Sequence, residues 1–288
     1  MAVDAHHHFW NPARIPQPWM TAEHGALKRV FEPPDLEPLL TVSGVGGTVL
    51  VQSAASDEDT DYMFEVAGSI DWVGAIVGWC RLDDAVVARR RLDELQARAK
   101  LRGIRHLIHQ EPDPHWITRP AVEDGLALLE ERQLVLELPA VYPDHLDDVP
   151  MLAARHPGLT IVIDHLGKPP LGSAEMRRWE ELLRSAAEHA NVHAKVSGLN
   201  TATTNRSWTA DDLQPAVDVA LDAFGDERLV CGSDWPVALL NGTYERVQRE
   251  TVLAITRACD RPQRILEVNA RRLYRLADAA VPLVPERR

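Results

Sequence analysis

Residues 1–12 read MAVDAHHHFWNP. Three histidines, His6, His7 and His8, follow a short apolar lead-in and run straight into Phe9 and Trp10. A purification tag carries about twice as many histidines and stands outside any structural pattern. Flanked by Val3, Asp4 and Ala5 on one side and two aromatic residues on the other, this run reads as the end of a buried strand. Side chains alternate along a strand, so His6 and His8 share one face and His7 takes the other.

Seven further segments have the same look: GGTVLVQ, WVGAIVGWC, LRGIRHLI, QLVLELPAV, LTIVIDHL, NVHAKVSGL and RLVCGSD. Several are near-continuous apolar runs, the pattern of parallel strands covered on both faces. Helix signatures separate them. AVVARRRLDELQARAKL and AVEDGLALLEERQ precede the fourth and fifth strands, and SAEMRRWEELLRSAAEHAN follows the sixth with Ser173 as its N-cap. In TADDLQPAVDVALDAFG, Thr209 and Asp212 form a capping-box start and Gly225 an end. TYERVQRETVLAITRAC and RPQRILEVNARRLYRL are the last two helices.

Strands alternating with helices make parallel βαβ units. Eight of them in 288 residues predict an α/β fold, a single (β/α)8 barrel over residues 1–276, with a loose tail at 277–288. The long irregular stretch from Trp10 to Asp35 is placed to cover the barrel mouth.

A formal net charge of -12 argues against a nucleic-acid partner. Three cysteines without a pairing motif fit a reducing compartment, and no apolar run reaches membrane-spanning length. These features predict a cytoplasmic protein acting on a small molecule, with homo-oligomerisation left open.

In such barrels chemistry gathers at the C-terminal strand ends. Strand one ends in His6 and His8, strand four carries Arg105, His106 and His109, and strand six ends in Asp164, His165 and Lys168. Lys195 and Ser197 lie on strand seven, and Asp234 ends strand eight beside Trp235 and Pro236. His6, His8, His165 and Asp234 form a set suited to one divalent metal such as zinc or manganese. Without metal, the imidazoles polarise a carbonyl while Asp234 takes a proton from water. Taken singly, Asp234 also suits a helix cap. By parity, His7 and Asp164 face away from the pocket. Arg105, His109 and Lys195 are candidates for binding substrate, as are Trp10, Trp116, Tyr142 and Trp235. Indole faces suit sugar C–H faces, although barrel-top tryptophans also serve simply to pack loops.

The segments DAHHHFW, TVLVQ, VGWC, GIRHL, IDHLGKP, KVSGL and GSDWPV, in this order from Val3 to Leu276, resemble the amidohydrolase superfamily. Within it they are similar to the sugar-lactonase branch, which includes L-fuconolactonases, L-rhamnonolactonases and dicarboxylate and sulfomuconate lactonases. The resemblance implies a (β/α)8 barrel, His6, His8 and His165 as its histidines, and Asp234 as general base. LRGIRHLIHQ lacks the strand-four lysine that bridges two metals in larger sites of the superfamily, which argues against a bridged two-metal site and leaves room for one divalent metal or none. It implies hydrolysis of a sugar-acid lactone, with a dicarboxylate lactone or decarboxylation of an aromatic or unsaturated acid as alternatives.

Overall fold

The structure is a computed structural model that describes residues 1–277; the tail predicted at 277–288 lies, but for its first residue, outside them. Eight parallel strands follow one another in chain order: β1 (Ala2–His7), β2 (Val45–Val51), β3 (Val73–Gly78), β4 (Leu101–Arg105), β5 (Val135–Leu138), β6 (Ile161–Ile163), β7 (Val192–Val196) and β8 (Leu229–Cys231). Each quoted segment marks one strand, with β2 beginning one residue before GGTVLVQ. The sheet curls into a nearly closed barrel with helices between the strands, and no described helix is long and apolar enough to cross a membrane.

The seam between β8 and β1 is closed without a strand ladder. His7 and Trp235 form a single parallel bridge, the Asp234 N–H donates to the His6 carbonyl at 2.8 Å, and the His8 N–H donates to the Trp235 carbonyl at 2.7 Å. The Asp4 carboxylate joins the same seam, accepting the N–H of Ser233 at 2.8 Å and of His6 at 3.2 Å. Those bonds place the first-strand histidines beside Asp234 in space.

Inside the barrel, Val3, Ala5, Val49, Val51, Ala75, Val77, Val135, Val162 and Val230 form one buried cluster with Ala270 and Tyr274. Branched and small side chains fill such interiors layer by layer. Alternation then carries Glu137, two residues beyond Val135, to the next layer up. On β1 the register slips: Asp4 pairs with Thr48 and His7 with Leu50, so β1 takes one residue more than β2. A bulge of this kind changes which residues face inward. It lets Val3 and Ala5 join the inner cluster while His6 and His8, of opposite parity, also reach the barrel interior.

Two local expectations are corrected. The helix after β6 runs Met176–Ala187 with Glu175 at its N-cap, and Ser173 instead accepts the Glu175 N–H through its hydroxyl in the preceding turn. Asp164 does not turn away from His165. The strand ends at Ile163, and His165 and Leu166 take left-handed backbone angles (φ 55 and 52°), so strand alternation no longer applies. The Asp164 and His165 side chains both point inward. The helix Ala210–Phe224 follows its expected signals, with a Thr209–Asp212 capping box and Gly225 at φ 65°.

Candidate active site

The inward polar residues form two layers. In the lower, Lys195 Nζ lies 2.6 Å from Glu137 Oε2, 3.5 Å from Asp164 Oδ1 and 3.0 Å from His6 Nδ1. Arg105 Nε donates to Asp164 Oδ2 at 2.7 Å, and the Tyr274 hydroxyl donates to Glu137 Oε1 at 2.6 Å. Two cations face two carboxylates, so the layer is balanced in charge, as buried ions require.

The upper layer holds the four residues singled out from the motifs. Asp234 Oδ1 lies 3.4 Å from His8 Nε2 and 3.7 Å from both His6 Nε2 and His165 Nε2. The His6 and His8 Nε2 atoms are 3.2 Å apart. Four ligand atoms at tetrahedral angles around one ion, each about 2.05 Å from it, stand about 3.3 Å from each other. The donor atoms of His6, His8 and Asp234 are therefore close enough to share a single divalent ion, and His165 stands beside them at 3.7 Å from Asp234. The far ring nitrogens are anchored as metal-binding imidazoles need: His8 Nδ1–H donates to the Val51 carbonyl at 2.8 Å, and His165 Nδ1 is 2.8 Å from Ser197 Oγ. Asp164 offers a second grouping with His6 and His165.

Burial drives the His165 imidazole down to about 3. His6 falls well below the ordinary value, through burial first and the Lys195 ammonium second. Burial alone would raise the Asp234 carboxyl, but His165 and Lys168 more than reverse that and hold it well below the usual carboxylate range. At neutral pH the His6 and His165 imidazoles are neutral and the Asp234 carboxylate is ionised. Asp234 Oδ2 is buried without a hydrogen-bond partner among the described residues, and Lys168 Nζ lies 3.7 Å from it.

These groups open into a cavity of about 490 Å³ at the C-terminal end of the barrel. Its lining includes His8, His165 and Asp234, with Arg105, His109 and Trp10 among the expected binding residues. The other candidates sit elsewhere. Lys195 is fully buried in the lower layer. Trp116 stacks on His106 with ring centroids 3.9 Å apart, Trp235 packs edge-on against Phe31 at 5.2 Å, and the Tyr142 hydroxyl donates to Glu175. None of these three lines the cavity. Each packs a loop.

Motif reading passed over several residues. Glu137 was legible as a lone acid in the apolar run VLEL. Trp19 and His24 line the cavity from the loop between β1 and the helix Pro33–Ser43, where no periodic signal exists. Gly198 is required by space: at φ +59°, a Cβ there would stand 2.7 Å from Asp234 Oδ2 and 2.8 Å from His165 Nδ1. Gly198→Ala is expected to cost about 1–2 kcal/mol of stability from backbone strain alone and to push those two side chains apart. Turnover should fall much further than stability; unfolding midpoints and steady-state rates on the same preparation check this.

A family model described as amidohydrolase matches residues 3–276. An L-fucono-1,5-lactonase from Burkholderia ambifaria is 39% identical over 245 residues, covering 84% of this chain and 82% of that protein. One from Burkholderia multivorans is 36% identical over 261 residues, covering 86% of each. A crystal structure of an amidohydrolase from Burkholderia multivorans with bound zinc superposes with a TM-score of 0.86 at 33% identity, covering 96% of this chain and 100% of that one.

Proposed function

The chain belongs to the amidohydrolase family, and from that premise we propose that it is a lactonase acting on the cyclic ester of a sugar acid. The observation that carries this reading is the convergence of His6, His8 and His165 on Asp234, with His8, His165 and Asp234 lining one cavity. The two relatives named as L-fucono-1,5-lactonases point to a six-membered aldonolactone.

Lactone hydrolysis needs an aimed water, a base, and charge stabilisation where the carbonyl oxygen becomes negative. Asp234, ionised and with Oδ2 unpartnered, takes a proton from water as the new C–O bond forms. It returns that proton to the ring oxygen as the old C–O bond breaks, giving the hydroxy acid with nothing consumed but water. His6, His8, His165 and Asp234 are the residues that would hold a divalent ion, which when bound polarises a carbonyl and acidifies water. Arg105 and Lys168 line the same cavity and present positive charge toward the developing oxyanion. Trp10 lends the wall an indole, held by Nε1–H donation to the Leu27 carbonyl at 3.1 Å.

A pH-indicator assay tests the reading. It compares 1,4- and 1,5-lactones of L-fuconate, L-rhamnonate, D-galactonate and L-arabinonate with a dicarboxylate lactone, each with and without chelator. One sugar 1,5-lactone is expected to be turned over fastest, and chelator is expected to suppress that rate, with zinc or manganese restoring it. No hydrolysis of any sugar lactone by folded, metal-supplied protein would overturn the reading.

A further inference from the structure

We propose that His24 reads a ring hydroxyl of the substrate, accepting lactones that carry that hydroxyl over those that lack it. The inference rests on the lactonase reading and concerns a residue outside the floor of the site.

His24 lies in the short 3-10 helix Ala22–Leu27 and lines the cavity together with Trp19 and Trp10. Its Nδ1 accepts the backbone N–H of Thr21 at 3.1 Å and lies 3.0 Å from Thr21 Oγ1. A backbone N–H only donates, so Nδ1 is the acceptor and the ring proton sits on Nε2. Among the described residues Nε2 has no hydrogen-bond partner. The loop thus carries one N–H donor of assigned tautomer on a residue that lines the cavity.

That donor stands on a tethered support. The His24 ring meets Trp19 edge-to-face, with centroids 5.4 Å apart and planes at 86°, and Trp19 meets Trp10 at 5.4 Å and 77°. Trp19 Nε1–H donates to the Ser53 carbonyl at 3.0 Å, fastening the loop to the residues that follow β2. This wall contributes two indoles and an imidazole but no Lys or Arg to the lining. Indole faces against C–H bonds, with a single neutral donor among them, suit a polyhydroxylated ring. A second carboxylate at this wall would meet no cation from the loop.

A chemical double-mutant cycle tests the assignment. kcat/KM is measured for the wild type and His24→Asn on the best 6-deoxyhexono-1,5-lactone and on its 2-, 3- and 4-deoxy analogues. The asparagine keeps an oxygen for the Thr21 N–H and withdraws the Nε2–H. A neutral hydrogen bond contributes about 0.5–1.5 kcal/mol, so the parent lactone should lose about 2- to 12-fold, chiefly through KM. On one deoxy analogue that loss should vanish, and His24→Gln, which carries an amide N–H to similar reach, should regain part of it. An equal penalty on the parent and all three analogues would show loop damage and overturn the proposal, as would no penalty on the parent. A wild type that turns over none of the sugar lactones would overturn the lactonase reading instead.

Discussion

Asp234→Asn is expected to lower kcat by about 10³- to 10⁴-fold while leaving the protein folded. The amide is nearly isosteric with the carboxylate but cannot take a proton from water. The surrounding geometry survives, because the Asp234 backbone N–H to His6 and the imidazole anchors on Val51 and Ser197 do not involve the carboxylate. Far-UV circular dichroism and a denaturant midpoint verify folding, and single-turnover kinetics give the rate of the chemical step. The sign of the pH dependence follows from the same site. A carboxyl held below its ordinary 3.8 stays ionised where a free one would begin to protonate. Wild-type kcat/KM should therefore show no loss from Asp234 protonation between pH 7 and pH 5. Near-normal turnover by Asp234→Asn would mean that another group is the base.

Lys195→Met is expected to be the most destabilising single substitution at the site, costing about 3–5 kcal/mol. Lys195 and Glu137 are both fully buried, and the ammonium is the nearest counter-charge to Glu137 Oε2 at 2.6 Å while also facing Asp164 at 3.5 Å. Its removal leaves Glu137 uncompensated, with Arg105 committed to Asp164 at 2.7 Å. Removing both charges at once avoids that penalty, so Lys195→Met with Glu137→Gln should recover at least half of the lost stability. Activity should not return with it. Lys195 Nζ also holds His6 Nδ1 at 3.0 Å, and methionine offers the ring nothing in exchange. Urea midpoints for the two singles and the double, alongside kcat for each, separate the two effects. A Lys195→Met protein within about 1 kcal/mol of wild type would contradict the burial argument.

Much of the site was legible because strand ends carry chemistry in a barrel. Once eight strands were recognised, the polar residues closing the first, sixth and eighth stood out, and His6, His8, His165 and Asp234 do converge. Parity reasoning placed His7 on the other face, where Nε2 meets Thr48 Oγ1 at 2.8 Å. It failed at Asp164, one residue past the strand, because alternation is a property of extended backbone and His165 is left-handed. It was silent about the β1 bulge, since nothing in VDAHHH marks where the register slips. Lys195 read as a binding residue from its strand position. Its depth beneath His6 depends on how far each strand extends into the barrel, which one strand's sequence does not encode.

Local chemistry along the chain determined the elements, their alternation and the residue types offered at each strand end, because propensity and periodicity act over a few residues at a time. Only the tertiary structure decided which of those residues share a floor, which cation answers which carboxylate, and which aromatics line the cavity rather than pack a loop. His6 and Lys195 are 189 residues apart in sequence and 3.0 Å apart in space. Contacts of that kind arise when β8 meets β1 and the barrel shuts. Charge balance among buried groups is then settled by the whole closed barrel, not by any one segment of it.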